Sequence, residues 1–293
     1  SAFSGNTSDP KTLMPQVERL QEAFNLKSVV LVGDRGMISQ KQVDELKGHG
    51  LEWITALKTG AIRKLMNDES IQLTLFDERN LFELTHPDFP GEKLVACRNP
   101  ELAHRRKHKR EDLLKATSEE LEKVQGMIER GYLKDAEKIG VRIGRVINKY
   151  KMAKHFELCI ENGSFSWKRN EQSIAREEAL DGIYVIRTSE SKETLSAADT
   201  VRTYKSLTQV ERLFRTLKGV DLRVRPIRHR TEDHVRAHIL LCTLAYYIEW
   251  HMRKAWAPLL FDDEELEAER KTRDPVLPAK PSESSKSKKL ERI

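Results

Sequence analysis

Residues 204–218, YKSLTQVERLFRTLK, decide how this chain is read. Taken as a helix, the run turns about 100° per residue, so seven residues return to within roughly 20° of the same direction. Tyr204, Glu211 and Lys218 are spaced by seven and form one axial stripe. Arg215 lies about 40° to one side of it, and Val210, Phe214 and Leu217 lie on the other, apolar side. Glu211 is therefore expected at the border between a buried face and a basic face. There a carboxylate can hold a divalent metal while neighbouring cations hold phosphates.

The run resembles the signature helix of insertion-sequence DDE transposases of the IS-four type. In those enzymes a Tyr, an Arg, the last acidic residue of a triad and a Lys follow one another at fixed spacing. Tyr204, Glu211 and Lys218 match. Leu207 stands where the family carries Arg, which leaves Arg212 or Arg215 to take over that phosphate contact. The longer segment VERLFRTLKGVDLRVRPIRHRTEDHVRAHILLC, residues 210–242, is similar to the variant of the group typified by insertion sequence 1634.

The resemblance implies a ribonuclease-H-like fold in which three carboxylates hold two Mg²⁺ (or Mn²⁺) ions about 3.5–4 Å apart. It makes Asp34, in VGDRGM, the second acidic residue and Glu211 the third, both catalytic and both metal ligands. It assigns Tyr204, Arg212, Arg215 and Lys218 to the DNA. The implied partner is double-stranded DNA, as transposon end and as target, bound by a homodimer. The implied activity is cut-and-paste transposition, with hydrolysis at the element end and attack of the 3′-hydroxyl on target DNA. In the family the first acidic residue lies on a strand well before the GNTSD-like segment, here residues 5–9. The chain is thus expected to be an N-terminally truncated transposase, inactive alone. Asp9 is no substitute, since Asp9-Pro10 reads as a helix start. Two other readings are a non-catalytic DNA-binding remnant and a protein that assembles with a full-length transposase.

Outward from the signature run, SVVLVG (residues 28–33) is a short apolar strand suited to burial on both faces. A helix from about Gln40 to Gly48 and a strand from about Glu52 to Leu57 follow, the spacing of a parallel crossover. Functional groups gather outside the carboxyl ends of such strands, where Asp34 stands. On its own Asp34 reads equally as a turn residue, and Glu211 as an i,i+4 partner of Arg215.

The predicted class is α/β: a ribonuclease-H-like core lacking its first strands and interrupted by an α/β insertion. The core is expected over 1–57 and 183–257, the insertion over 58–182 and a disordered tail over 258–293. In the insertion, residues 71–76, 81–85, 93–97, 156–160 and 164–167 read as strands. Thr117 and Glu120 read as a capping box. HRRKHKR (residues 104–110) reads as a solvated loop or a phosphate-attracting cluster. A strongly apolar helix is expected over about 232–256, its segment Ile239–Tyr247 as core.

Net charge is +6 over 293 residues, the pI is about 9.1 and mean hydropathy −0.61. That balance suits an acidic partner. No apolar run approaches membrane-spanning length, and no signal peptide opens the chain. The three cysteines are isolated, which argues against a zinc ribbon or a disulfide framework and fits a bacterial cytoplasm, at the nucleoid. His229, His234 and His238 lack a completing cysteine set or HExxH spacing and read as solvent or capping residues.

Overall fold

The parallel crossover around residues 28–57 is present. In the computed structural model, which describes residues 3, 6–26, 28–219, 222–260, 263, 265–270 and 272–290, strand β1 (Val30–Val32) runs into α2 (Gln40–Gly48), which follows α1 (Asp9–Phe24), and returns as β2 (Glu52–Ala56). Leu31 lies beside Trp53 in parallel register. Gly5 and the side chain of Asp9 lie outside the described residues; Ser8, one residue before Asp9, takes the extended cap conformation.

After α3 (Thr59–Asn67) the chain adds β3 (Leu81–Leu84) and β4 (Lys93–Arg98). The strand expected over 71–76 is instead a short 3₁₀ turn, Leu73–Leu75. A long excursion follows, and β7 (Ile183–Thr188) then completes one mixed sheet, ordered β1-β2-β7-β4-β3. β2 and β7 are antiparallel, with Thr55 opposite Arg187. The central strands are buried along almost their whole length. β1 and β3 are the edge strands, and Val30 on β1 is exposed.

Successive strand residues point to opposite faces, and β2 shows the consequence. Trp53 joins Leu13, Val17, Val43 and Leu46 of α1 and α2. Ile54, next along, joins Val95, Ile186 and Val201, the last from α7 (Ala197–Lys205). A buried pair ties the sheet to its flanks: the Arg187 guanidinium donates to both carboxylate oxygens of Glu92, at 2.6 Å each, and to Gln40 at 2.9 Å.

Beyond α7 come α8 (Leu207–Lys218), α9 (Glu232–Ala255), α10 (Leu266–Glu269) and α11 (Glu283–Leu290). The tail expected to be disordered packs in part. Val276 is fully buried in the α7 cluster, and its carbonyl accepts from Lys205 Nζ at 2.6 Å. Arg202 donates to the carbonyl of Arg273 at 3.2 Å. A composition poor in apolar residues still leaves one valine and a row of carbonyls for α7 to hold.

Residues 98–183 pack as a separate unit, narrower than the expected insertion, while β3 and β4 join the sheet of the other unit. The separate unit contains α4 (Pro100–Glu129), α5 (Ala136–Tyr150), the hairpin β5 (Phe156–Glu161) and β6 (Ser164–Arg169), and α6 (Glu171–Glu178). Leu114, Leu121, Val124 and Ile128 of α4 face Ile139, Ile143 and Val146 of α5, with Phe156 and Phe165 of the hairpin closing the core. Trp167 meets Phe156 edge-on at 5.7 Å. The hairpin turns through Asn162-Gly163, and Gly163 takes φ +73, open to glycine without a Cβ clash.

Thr117 lies inside α4 and caps nothing. The helix is capped eighteen residues earlier by Asn99, whose side chain accepts from the Leu102 N–H at 2.9 Å, with Pro100 at its first position. Thr117 instead donates to the Leu113 carbonyl one turn back, at 2.7 Å. HRRKHKR is therefore helical and not a loop.

Candidate functional site

Asp34 follows β1 at its carboxyl end, as expected. Its Oδ1 accepts from the N–H groups of Gly36 at 2.9 Å and Met37 at 2.7 Å. The side chain thereby closes its own turn and remains exposed. Gly33, just before it, has no room for a Cβ, which would stand 2.8 Å from Ile38. Glycine there lets the chain turn from the sheet and present Asp34.

The signature run is not one uninterrupted helix. α7 ends at Lys205 and α8 begins at Leu207. Ser206 keeps helical angles (φ −62, ψ −19), but its hydroxyl donates to the Thr203 carbonyl at 2.6 Å and that of Thr208 to the Lys205 carbonyl at 2.8 Å. Hydroxyls bonded back onto carbonyls bend helices. Tyr204 therefore belongs to α7, while Glu211 and Lys218 share α8. The seven-residue stripe holds within α8 and crosses a break before it.

The structure brings Tyr204, Asp34 and Glu211 into one electrostatic neighbourhood. The phenol of Tyr204 is held above its ordinary pKa, first by burial and then by the negative charge of Asp34; Glu211 adds to the rise and Arg35 opposes it. A phenolate is disfavoured beside two carboxylates. Arg35 is a residue the sequence reading passed over; its only signal there is adjacency to Asp34.

Glu211, Arg212, Arg215 and Lys218 are all exposed. Lys218 Nζ stands 5.3 Å from the ring centroid of Phe214. Among the described residues none of Arg212, Arg215 and Lys218 has an ion-pair partner, and the same holds for Arg223, Arg225, Arg228 and Arg230 downstream. The apolar side expected to be buried is open: Val210 is 48% and Phe214 50% exposed. So is α9, which has no buried residue. Leu240, Leu241, Leu244 and Tyr247, read as core, are exposed because α9 meets α8 on its opposite face and nothing else covers them among the described residues.

His229 lies 5.9 Å from His234 and 5.3 Å from His238, ring centre to ring centre, and His238 Nε2 faces the Val224 carbonyl at 3.2 Å. Among the described residues no group of three or more His, Cys, Asp or Glu side chains converges as a metal site. No described helix is long and apolar enough to cross a membrane. Asp34 and Glu211 offer hard carboxylate oxygens, the donor type that suits Mg²⁺ or Mn²⁺.

Compared with known protein families, residues 2–248 match the family described as the transposase DDE domain. No curated protein and no solved structure matches the chain.

Proposed function

The chain belongs to the transposase DDE-domain family, and from that premise we propose that it holds transposon-end DNA along α8 and does not cut DNA unaided. Its family works on DNA, generally with divalent metal ions, and its α/β fold is that expected of a ribonuclease-H-like transposase domain. In this reading Asp34 and Glu211 are the acidic residues of the catalytic site and the ligands for Mg²⁺ or Mn²⁺. Such ions, when bound, would activate the attacking water or 3′-hydroxyl and stabilise the leaving oxygen.

One observation carries the reading: in a chain whose residues 2–248 match the transposase family, Arg212, Arg215 and Lys218 stand exposed beside Glu211 on α8, with no ion-pair partner among the described residues. The chain's own residues divide the work. Tyr204 stays protonated and available to donate a hydrogen bond to a phosphate oxygen. Arg212, Arg215 and Lys218 neutralise the backbone of the bound end without reading its sequence. Two carboxylates leave positioning intact, while the two-ion chemistry calls for a third.

The convergence is tested by titrating Tyr204, as the ultraviolet difference between the chain and its Tyr204→Phe variant. Asp34→Asn and Glu211→Gln should each lower the phenol's pKa, Asp34→Asn more. A titration that neither substitution moves would remove the shared site. Activity is tested with supercoiled and element-end DNA in Mg²⁺ or Mn²⁺. No nicking is expected, and nicking abolished by Asp34→Ala would overturn the inactive reading.

A second reading, assembly with a full-length transposase or as a homodimer on DNA, is favoured by the open apolar face of α9. Sedimentation of the chain with and without duplex DNA separates it from a monomeric DNA-binding remnant.

A further inference from the structure

α5 carries a second row of cations that the signature motif does not include. Its sequence, AEKIGVRIGRVINKY, seats Ile139, Ile143 and Val146 in the core. Lys138, Arg142, Arg145 and Lys149 recur at the same helical spacing about a quarter-turn away, and all four are exposed. None makes an ion pair among the described residues. Lys149 touches the ring of Tyr150, at 4.8 Å from its centroid.

Several cations elsewhere in the unit are paired. Lys107 pairs with Glu178 at 2.5 Å, Arg110 with Asp181 at 2.6 Å, Lys168 with Glu157 at 2.8 Å and Arg169 with Glu111 at 2.9 Å. Two residues of HRRKHKR, Lys107 and Arg110, are thus spent tying α4 to Glu178 and Asp181. Glu120 of α4 feels Arg142 and Lys149 but is bonded to Lys123 at 2.8 Å. Like charges three and four residues apart destabilise a helix by about 0.2–0.5 kcal/mol per pair. The row bears that cost three times, eased only in part by Glu120 and by the contact of Lys149 with Tyr150. A partner with regularly spaced negative charge removes the cost.

The dimensions suit a phosphate backbone. Eleven residues of helix span roughly 16 Å. A DNA strand presents one phosphate per 3.4 Å of axis, so the row runs beside about five phosphates. We propose that the α5 face of residues 98–183 is a second duplex-DNA contact, in which Lys138, Arg142, Arg145 and Lys149 bind backbone phosphates without reading sequence. It rests on the reading of the chain as a DNA-handling protein.

The test is binding of the full chain to a 30-base-pair duplex of arbitrary sequence across a salt series (about 50–200 mM, where phosphate contacts are most salt-sensitive). K138Q/R142Q/R145Q/K149Q should lower the slope of log K against log salt by up to about 3.6, at roughly 0.9 per contact. The charge-preserving swap K138R/R142K/R145K/K149R should leave it unchanged, and circular dichroism confirms that both fold. Four outcomes overturn the proposal. If the Gln variant binds like the parent while Lys218→Ala binds weakly, α5 is bystander surface and the α8 reading stands. If the swap weakens binding as much as the Gln variant, the effect is structural. If the parent binds polyglutamate more tightly than the duplex, the face fits an acidic polypeptide. If the parent fails to bind duplex at all, the DNA reading falls with it.

Discussion

α5 and α8 are written alike and end differently. Both are strongly amphipathic, with branched or aromatic residues on one face and cations beside them. Yet α5 buries Ile139, Ile143 and Val146, while α8 buries nothing and leaves Phe214 half exposed. α5 lies against α4 and the β5–β6 hairpin, which together enclose a core. α8 lies beside α7 and α9, and α9 leaves Leu240, Leu241 and Leu244 exposed. Amphipathicity says which face is apolar. It does not say whether anything covers that face.

The widest expected gap concerns arginines. Arg110→Ala on α4 leaves the carboxylate of Asp181, whose side chain is only 8% exposed, without its partner, and should cost about 3–5 kcal/mol. Arg215→Ala on exposed α8 should stay within about 0.5 kcal/mol. Urea unfolding of both reads the gap, and equal losses would break the contrast at its strongest point.

Next come the apolar faces themselves. Ile143→Ala should cost about 2–4 kcal/mol through the cavity it opens. Phe214→Ala, a larger truncation, should cost about 1 kcal/mol or less, because half of that ring already meets water. A Phe214 variant losing as much as the Ile143 variant would mean that α8 is covered in solution.

Helix starts sharpen the comparison within the same unit. Ser196 caps α7: its hydroxyl accepts from the Asp199 N–H at 3.1 Å and donates to the Asp199 carboxylate at 2.7 Å. Ser206 makes no such cap for α8. Ser196→Ala should therefore cost about 1 kcal/mol, and Ser206→Ala clearly less. The carboxyl of Asp199 is held below its ordinary value of 3.8, by Ser196 first and then by Arg202. A lowered folded pKa contributes stability that is present above the unfolded value and lost as pH falls through the folded one. The gap between parent and Ser196→Ala should accordingly narrow below about pH 4. A gap that widens in acid would show that the Ser196–Asp199 bond does not hold the helix.

The smallest expected stability change is on α9. Leu240→Lys with Leu244→Lys should shift unfolding by about 0.5 kcal/mol or less, as exposed substitutions do, while abolishing any self-association seen by sedimentation. A loss of several kcal/mol would mean that these leucines are packed after all.

Much of this was legible along the chain. The β1–α2–β2 crossover followed from a short apolar run, a helix-length gap and a second run, each a local pattern. The place of Asp34 after the first strand was legible too, while the metal roles of Asp34 and Glu211 came from the resemblance alone. The α5 row was equally open to reading, since Lys138, Arg142, Arg145 and Lys149 repeat at helical spacing; attention to the denser HRRKHKR run hid it. Thr117 misled because a capping box is a four-residue pattern, and nothing within four residues shows that the helix began at Pro100. The break at Ser206 depends on where two hydroxyls turn, and a helical wheel assumes that question away.

Sequence alone determined the elements with strong internal period: the signature run, the buried face of α5, the parallel crossover and the abundance of cations. These rest on interactions between residues a few positions apart, and such interactions are written in order along the chain. Tertiary structure alone decided the rest. It brought the charges of Asp34 and Glu211 to bear on Tyr204, spent Lys107 and Arg110 on Glu178 and Asp181, drew Val276 into the core and left the leucines of α9 in the open. Burial and ion pairing depend on which surfaces meet. A chain of given composition can satisfy its charges and apolar faces in many ways, and only the packed fold selects one.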